Sequence, residues 1–265
     1  FGWGDWVQIR LFAVAPGRYG IEQDQHNLML VDGKSGRSTD GEWRASYYHA
    51  RLTEYQPGPL CDFATVDNTV QANCYWSVRH LGLVKGGGLP GYVWTVDDVN
   101  GANDLRAFWW TLNTAPGNTI ELDGKRAWIR GRRRGGMLDI HFVYPGPDAY
   151  PTPHELVLSQ DVSTTSSHKY IARAEAVANS YRGVHHATYF RPRLLAKLKG
   201  YNGRLLTLMI PRDGDEAAPE VEALPTVVGA LAVRVKFADA WDTIIFSYSH
   251  HLLSADGIDA RGEWI

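Results

Sequence analysis

Along most of the chain, apolar and polar positions alternate with a period of two. Leu231, Val233, Val235 and Phe237 interleave with Ala232, Arg234 and Lys236, and Ile244, Phe246 and Tyr248 interleave with Thr243, Ile245 and Ser247. Successive side chains of an extended strand point to opposite faces, so this alternation predicts strands with one face in a core. Comparable runs at 6–15, 74–84, 92–99, 105–112, 128–130, 138–143, 189–198 and 205–210 are each bounded by Gly, Pro, Asn or Asp, the residues that punctuate strands. Gly200-Tyr201-Asn202-Gly203 reads as a hairpin joining two of these runs. Many short strands without helical crossovers between them predict an all-β fold, a large antiparallel β-sandwich of two stacked sheets.

One stretch breaks the alternation. Between 169 and 181, Ile171, Ala174, Val177, Ala178 and Tyr181 follow helical spacing, with Ser167 as N-cap and Gly183 as stop, which predicts one short helix. The segment 213–225, rich in Glu, Ala and Pro, reads as a solvated loop rather than a domain boundary. The chain of 265 residues suits one large all-β domain or two small ones. With no linker or repeat in view, 1–265 is read as a single β-sandwich domain.

Composition narrows this picture. A net charge of −2 and 44% hydrophobic residues argue against disorder. No apolar run approaches the roughly eighteen residues of a membrane span, and the N-terminus has neither a basic n-region nor an apolar cleavable segment. The sequence opens at Phe1 rather than Met, which suggests a processed protein or a piece of a longer one. Ten Trp and 13 Tyr stand beside 27 Gly and 13 Pro. Aromatic rings of this kind pack on pleated sheets, their commoner use, and also stack on sugars. The two cysteines, Cys61 and Cys74, lie almost symmetrically about Asp67-Asn68. A two-residue turn there would bring them opposite each other, compatible with a disulfide or with two buried thiols.

The residues that could carry chemistry are few. His26-Asn27 precedes the apolar run Leu28-Met29-Leu30-Val31, which ends in Asp32-Gly33; a ring nitrogen and an amide at the start of a strand can cap it, contact an anion or ligate a metal. A zinc site needs three or four ligands, and no HxH, CxxC or HExxH spacing supplies them. Lys125-Arg126-Ala127-Trp128-Ile129-Arg130-Gly131-Arg132-Arg133-Arg134 reads as a basic hairpin. Its guanidinium forks suit carboxylates or sulfates, while a solvated turn whose charges guard a sheet edge, the commoner case, explains the same residues. His185-His186, His250-His251, Tyr47-Tyr48-His49 and Asp97-Asp98 are adjacent pairs, each offering one member to any one face; Asp97-Asp98 reads as the end of a strand. There is no phosphate-binding glycine loop and no GxSxG elbow.

Taken in order, 25–36, Asp62-Phe63-Ala64-Thr65, Ser77-Val78-Arg79-His80-Leu81, the strand 91–99 with its Val96-Asp97-Asp98, and Phe108-Trp109-Trp110-Thr111-Leu112-Asn113 resemble the C-terminal β-sheet domain of heparinase II/III-type polysaccharide lyases. Segments 205–211 and 231–248 fit the end of that domain, so the likeness covers most of the chain. The resemblance implies a sheet domain that follows a helical toroid, with an acidic polysaccharide in the cleft between them. It also implies β-elimination at a uronic acid: a base takes the C5 proton, the carboxylate charge is neutralised, and an acid protonates the departing O4. By similarity His26 is a ligand of a structural zinc and Tyr19 is the nearest candidate for the catalytic tyrosine; Asn27 beside His26 and, in the basic hairpin, Arg130, Arg132, Arg133 and Arg134 are the candidate substrate contacts. Implied too are a secreted or periplasmic location and no nucleic-acid or membrane partner. The chain departs from the pattern in lacking the toroid and the upstream His-x-His…Asp segment, in Gly36 where Gln is usual, and in Asn113-Thr114 where His-Thr is frequent. A non-catalytic carbohydrate-binding or interaction sandwich is the rival reading, because a fold does not fix a function.

Overall fold

In the computed structural model the alternating segments become strands. Residues 26–34, 50–72, 74–86, 91–101, 104–115, 117–132, 135–143, 155–165, 189–226, 230–238, 240–248, 252–255 and 257–261 are described. The strands are β1 (Met29–Val31), β2 (Arg51–Gln56), β3 (Cys61–Asp67), β4 (Trp76–Val84), β5 (Tyr92–Asn100), β6 (Arg106–Asn113), β7 (Thr119–Asp123), β8 (Arg126–Arg130) and β9 (Met137–Val143). They continue as β10 (Val157–Thr165), β11 (Tyr189–Gly200), β12 (Asn202–Arg212), β13 (Glu220–Ala223), β14 (Ala230–Lys236), β15 (Trp241–Ser247), β16 (Leu252–Ala255) and β17 (Ile258–Arg261). The short helix α1 (Thr69–Ala72) follows β3. The expected helix at 169–181, the strand at 6–15 and the pairs at 47–49, 185–186 and 250–251 lie outside the described residues.

Among the described residues, β1-β6-β11-β10 form a four-stranded sheet and β2-β3-β4-β5-β12-β9-β8-β7 an eight-stranded one, all neighbours antiparallel. The two stack as the expected sandwich. Met29, Phe108, Trp110, Leu112, Leu194, Ala196 and Leu198 of the smaller sheet meet Val99, Ile129, Leu138, Ile140, Phe142 and Leu205 of the larger in one core. A third sheet, β13-β14-β15, covers the opposite face of the larger one. There Tyr92, Trp94, Val96, Leu206, Leu208 and Ile210 pack on Leu231, Val233, Val235, Ile244 and Phe246, so β5 and β12 lie between two cores. Burying a strand on both faces explains their nearly continuous apolar sequence.

Four local expectations are corrected. Gly200-Tyr201-Asn202-Gly203 is not a hairpin: β11 pairs with β6 and β12 with β5, so the chain passes from one sheet to the other. Gly203 permits the passage, since a Cβ there would stand 2.5 Å from Cγ of Phe108. Asp67-Asn68 is not a two-residue turn either. Asp67 Oδ1 accepts the Thr69 N–H at 2.9 Å, an Asx turn that leads into α1. Cys61 consequently pairs with Val84, and both cysteines are free thiols. Asp97-Asp98 lies within β5 instead of ending it. Finally, 213–225 contains the edge strand β13, held to β14 by Glu222–Arg234 and Glu220–Lys236 ion pairs.

Candidate functional site

The backbone of His26-Asn27-Leu28 precedes β1, and its polar groups need partners. Thr111 and Asn113 of β6, both fully buried, supply them. Thr111 Oγ1 donates to the His26 carbonyl at 2.7 Å and accepts the Leu28 N–H at 3.2 Å. The side-chain amide of Asn113 donates to the His26 carbonyl at 3.3 Å and to Asn27 Oδ1 at 3.2 Å, and the Asn113 backbone N–H reaches that same oxygen at 2.8 Å. From the facing sheet, Arg79 donates through Nη1 to the Asn27 carbonyl at 2.8 Å. Its Nε and Nη2 grip Asp97 at 2.7 and 3.1 Å. The Asp97 carboxylate is almost fully buried, and this bidentate pair within the larger sheet fixes the guanidinium whose bond to the Asn27 carbonyl fastens the His26 corner to that sheet.

The same corner continues to the basic hairpin. Thr114, next in the chain after Asn113, accepts through Oγ1 from the Asn118 amide at 2.7 Å, and Asn118 Oδ1 accepts the Arg132 N–H at 3.0 Å. Thr114 and Asn118 are buried. Beside them Gly117, at φ +85, leaves room for the Arg132 side chain, whose Cδ would stand 2.6 Å from a Cβ there. A run of buried amides and hydroxyls thus ties His26-Asn27 to the turn between β8 and β9. Arg130 at the end of β8 and Arg132 just beyond it are both exposed.

His26 and Asn27 are half-buried at the start of β1, as the motif predicts. Tyr19, Arg133 and Arg134 lie outside the described residues. Asn27 spends its amide oxygen on Asn113, so part of its role is to fasten the corner. Among the described residues no three His, Cys, Asp or Glu side chains gather where they could hold a metal ion. A zinc ion takes three or four ligands, so His26 with the other described residues does not make a zinc site.

A second polar cluster escaped the sequence reading. Asp139 of β9 has no exposed side-chain surface and is paired with Arg126 at 2.8 Å and with Arg212. Arg212 also donates to the Glu216 carbonyl at 2.7 Å, and Arg126 lies over the Trp128 ring at 5.1 Å. His141, on the same face of β9, has an Nε2 that is buried without a hydrogen-bond partner. Burial first, and the Arg126 charge second, lower its pKa to about 4, so the ring is neutral near pH 7. The signal lay in Asp139 as a lone charge inside the apolar strand β9, but its partners Arg126 and Arg212 come from β8 and β12. On the opposite side of β5 from Asp97, Asp98 pairs with Arg204 at 3.0 Å, and Arg204 lies over Tyr248 at 4.2 Å.

An imidazole can ligate a metal or exchange a proton, and guanidinium groups pair with carboxylates and sulfates. One end of the sandwich carries both. No helix among the described residues is long and apolar enough to cross a membrane. No family model matches the sequence, and no curated protein does. Solved structures do match. A heparan sulfate lyase, HepC from Pedobacter heparinus, superposes with a TM-score of 0.59 at 15% identity, covering 85% of this chain and 31% of that one. Heparinase III superposes with a TM-score of 0.58 at 13% identity, covering 86% of this chain and 30% of that one. The chain thus shares its fold with part of these lyases and spans about a third of their length.

Proposed function

We propose that this chain is the β-sandwich portion of a polysaccharide lyase that cleaves a uronic-acid-containing glycan by β-elimination. The observation that supports it best is the buried link Asn27–Asn113-Thr114–Asn118–Arg132. That link holds a half-buried imidazole and a guanidinium-bearing turn at one end of a fold shared with heparan-cleaving enzymes. In this reading Arg130, Arg132, Arg133 and Arg134 pair with the acidic groups of the glycan, and Asn27 contacts it. Tyr19 exchanges the proton, and a helical toroid forms the other wall of the cleft. His26 is one zinc ligand, the others coming from outside the described residues, and the protein works in a secreted or periplasmic setting.

The test has two arms. The chain is titrated with heparin and alginate, and the longer protein that includes a toroid is assayed for unsaturated ends by ultraviolet absorbance. Binding that falls when the four arginines become Ala is expected, together with elimination that is lost in His26→Ala and Tyr19→Phe. Full activity in both of those variants would overturn the assignments.

One observation favours a second reading, a non-catalytic carbohydrate-binding sandwich. The carbonyls of His26 and Asn27 and the Asn27 amide oxygen are all engaged in fastening the corner. Glycan affinity without elimination in the longer protein would select it.

A further inference from the structure

Among the described residues β2 is an edge strand of the eight-stranded sheet, and its sequence Arg51-Leu52-Thr53-Glu54-Tyr55-Gln56 is self-complementary. Its pairing with β3 shifts register between Leu52 and Glu54, placing Leu52 opposite Val66 and Tyr55 opposite Ala64. The extra residue, Thr53, therefore turns Leu52 and Tyr55 to one face although they are three apart in sequence. Arg51 and Glu54, opposite Asp67 and Thr65, share the other face. Leu52 is 64% and Tyr55 58% exposed. Beside them on the same face stand Ala64, Val66, Leu81 and Leu83, all half-buried.

An edge strand with open apolar side chains, and neither Pro nor Lys, is a template for another strand, and the bulge at Thr53 with the Arg51 and Glu54 charges restricts it to a partner of matching register and charge. We propose that β2 pairs antiparallel with β2 of a second copy, joining two eight-stranded sheets across a two-fold axis between Thr53 and Glu54. In that register Leu52 lies opposite Tyr55 of the other copy, and the reverse, so each copy buries the exposed pair of its partner. Arg51 lies opposite Gln56 and diagonal to Glu54 of the other copy, within reach of a long side chain. The contact is isologous and closes as a dimer. β7 and β8 lie at the far edge of the sheet, so the Arg130–Arg132 turn stays open.

Light scattering after size exclusion and sedimentation velocity of the chain test this, with circular dichroism as the control for folding. The expected result is a concentration-dependent dimer that Leu52→Lys with Tyr55→Lys converts to monomer while the β spectrum is kept. Arg51→Glu and Glu54→Arg each weaken the dimer, roughly threefold to tenfold, and the two together restore it, as a charge swap at a symmetric contact requires. A monomer at every concentration, a dimer that survives the double Lys variant, or a charge swap without rescue would overturn the proposal. The result stands apart from glycan binding, which depends on the opposite edge.

Discussion

Asn113 gives Asn27 two hydrogen bonds, its backbone N–H at 2.8 Å and its side-chain amide at 3.2 Å, both to the same oxygen. The side-chain amide also reaches the His26 carbonyl. Truncating it removes one of the two donors that each of these oxygens has, at the fully buried Asn113. Asn113→Ala is therefore expected to destabilise the chain by about 2 kcal/mol, measured by urea unfolding. In the proposed lyase it also loosens His26, so activity falls further than folded protein does. Activity that tracks only the folded fraction would reduce Asn113 to a structural role.

Arg79 is the second fastening. It pairs with the buried Asp97 and donates to the Asn27 carbonyl from the facing sheet. Removing the guanidinium alone strands a buried carboxylate, so Arg79→Met is expected to cost about 3–5 kcal/mol. Replacing both partners, Arg79→Met with Asp97→Leu, removes the stranded charge and recovers much of that loss. A double-mutant cycle by denaturant unfolding measures the coupling. Additive losses would show that the pair contributes little beyond its separate contacts.

Gly82 of β4 lies against Trp94 of β5, and a Cβ at Gly82 would stand 2.0 Å from Cε2 of the indole. Trp94 packs on Phe63 with ring centres 6.0 Å apart in the core beneath the third sheet, so the ring has little room to retreat. Gly82→Ala is expected to destabilise by about 3 kcal/mol, the upper range of overpacking. A lowered urea midpoint with an altered near-ultraviolet dichroism of the indole is the expected reading.

The parts of the fold that were legible in the sequence share a physical cause. In β14 and β15 the period-two pattern assigns faces directly. Leu231, Val233, Ile244 and Phe246 fill the core against the large sheet, while Ala232 and Ile245 face the other way. What misled was local chemistry overridden by distant partners. Asp97-Asp98 carries a turn signal, yet Arg79 takes one carboxylate on one face and Arg204 the other on the opposite face, which lets the strand run through. Gly200–Gly203 has the composition of a hairpin, but whether two strands pair or part is decided by β5 and β6, about 100 residues earlier. The His26-Asn27 corner was visible as a motif. Its holder Asn113, 86 residues away, was not, because nothing local marks an Asn at a strand end as the partner of another.

His141 gives the chain an acid-sensitive point. Its ring is neutral in the fold, with the pKa lowered to about 4 by burial and by Arg126, while in the unfolded chain it titrates near 6.5. Between those values the unfolded state binds the additional proton, so stability rises with pH across that window. The contribution is complete above about pH 6.5 and is lost as pH falls toward 4, amounting to about 3 kcal/mol at most. Protonation would place a cation beside Arg126, whose guanidinium already shares Asp139 with Arg212. Urea unfolding at pH 7.5 and pH 5 is expected to show the loss, and His141→Gln, which cannot take up that proton, to flatten the dependence. A variant that keeps the full slope would move the acid sensitivity to another group.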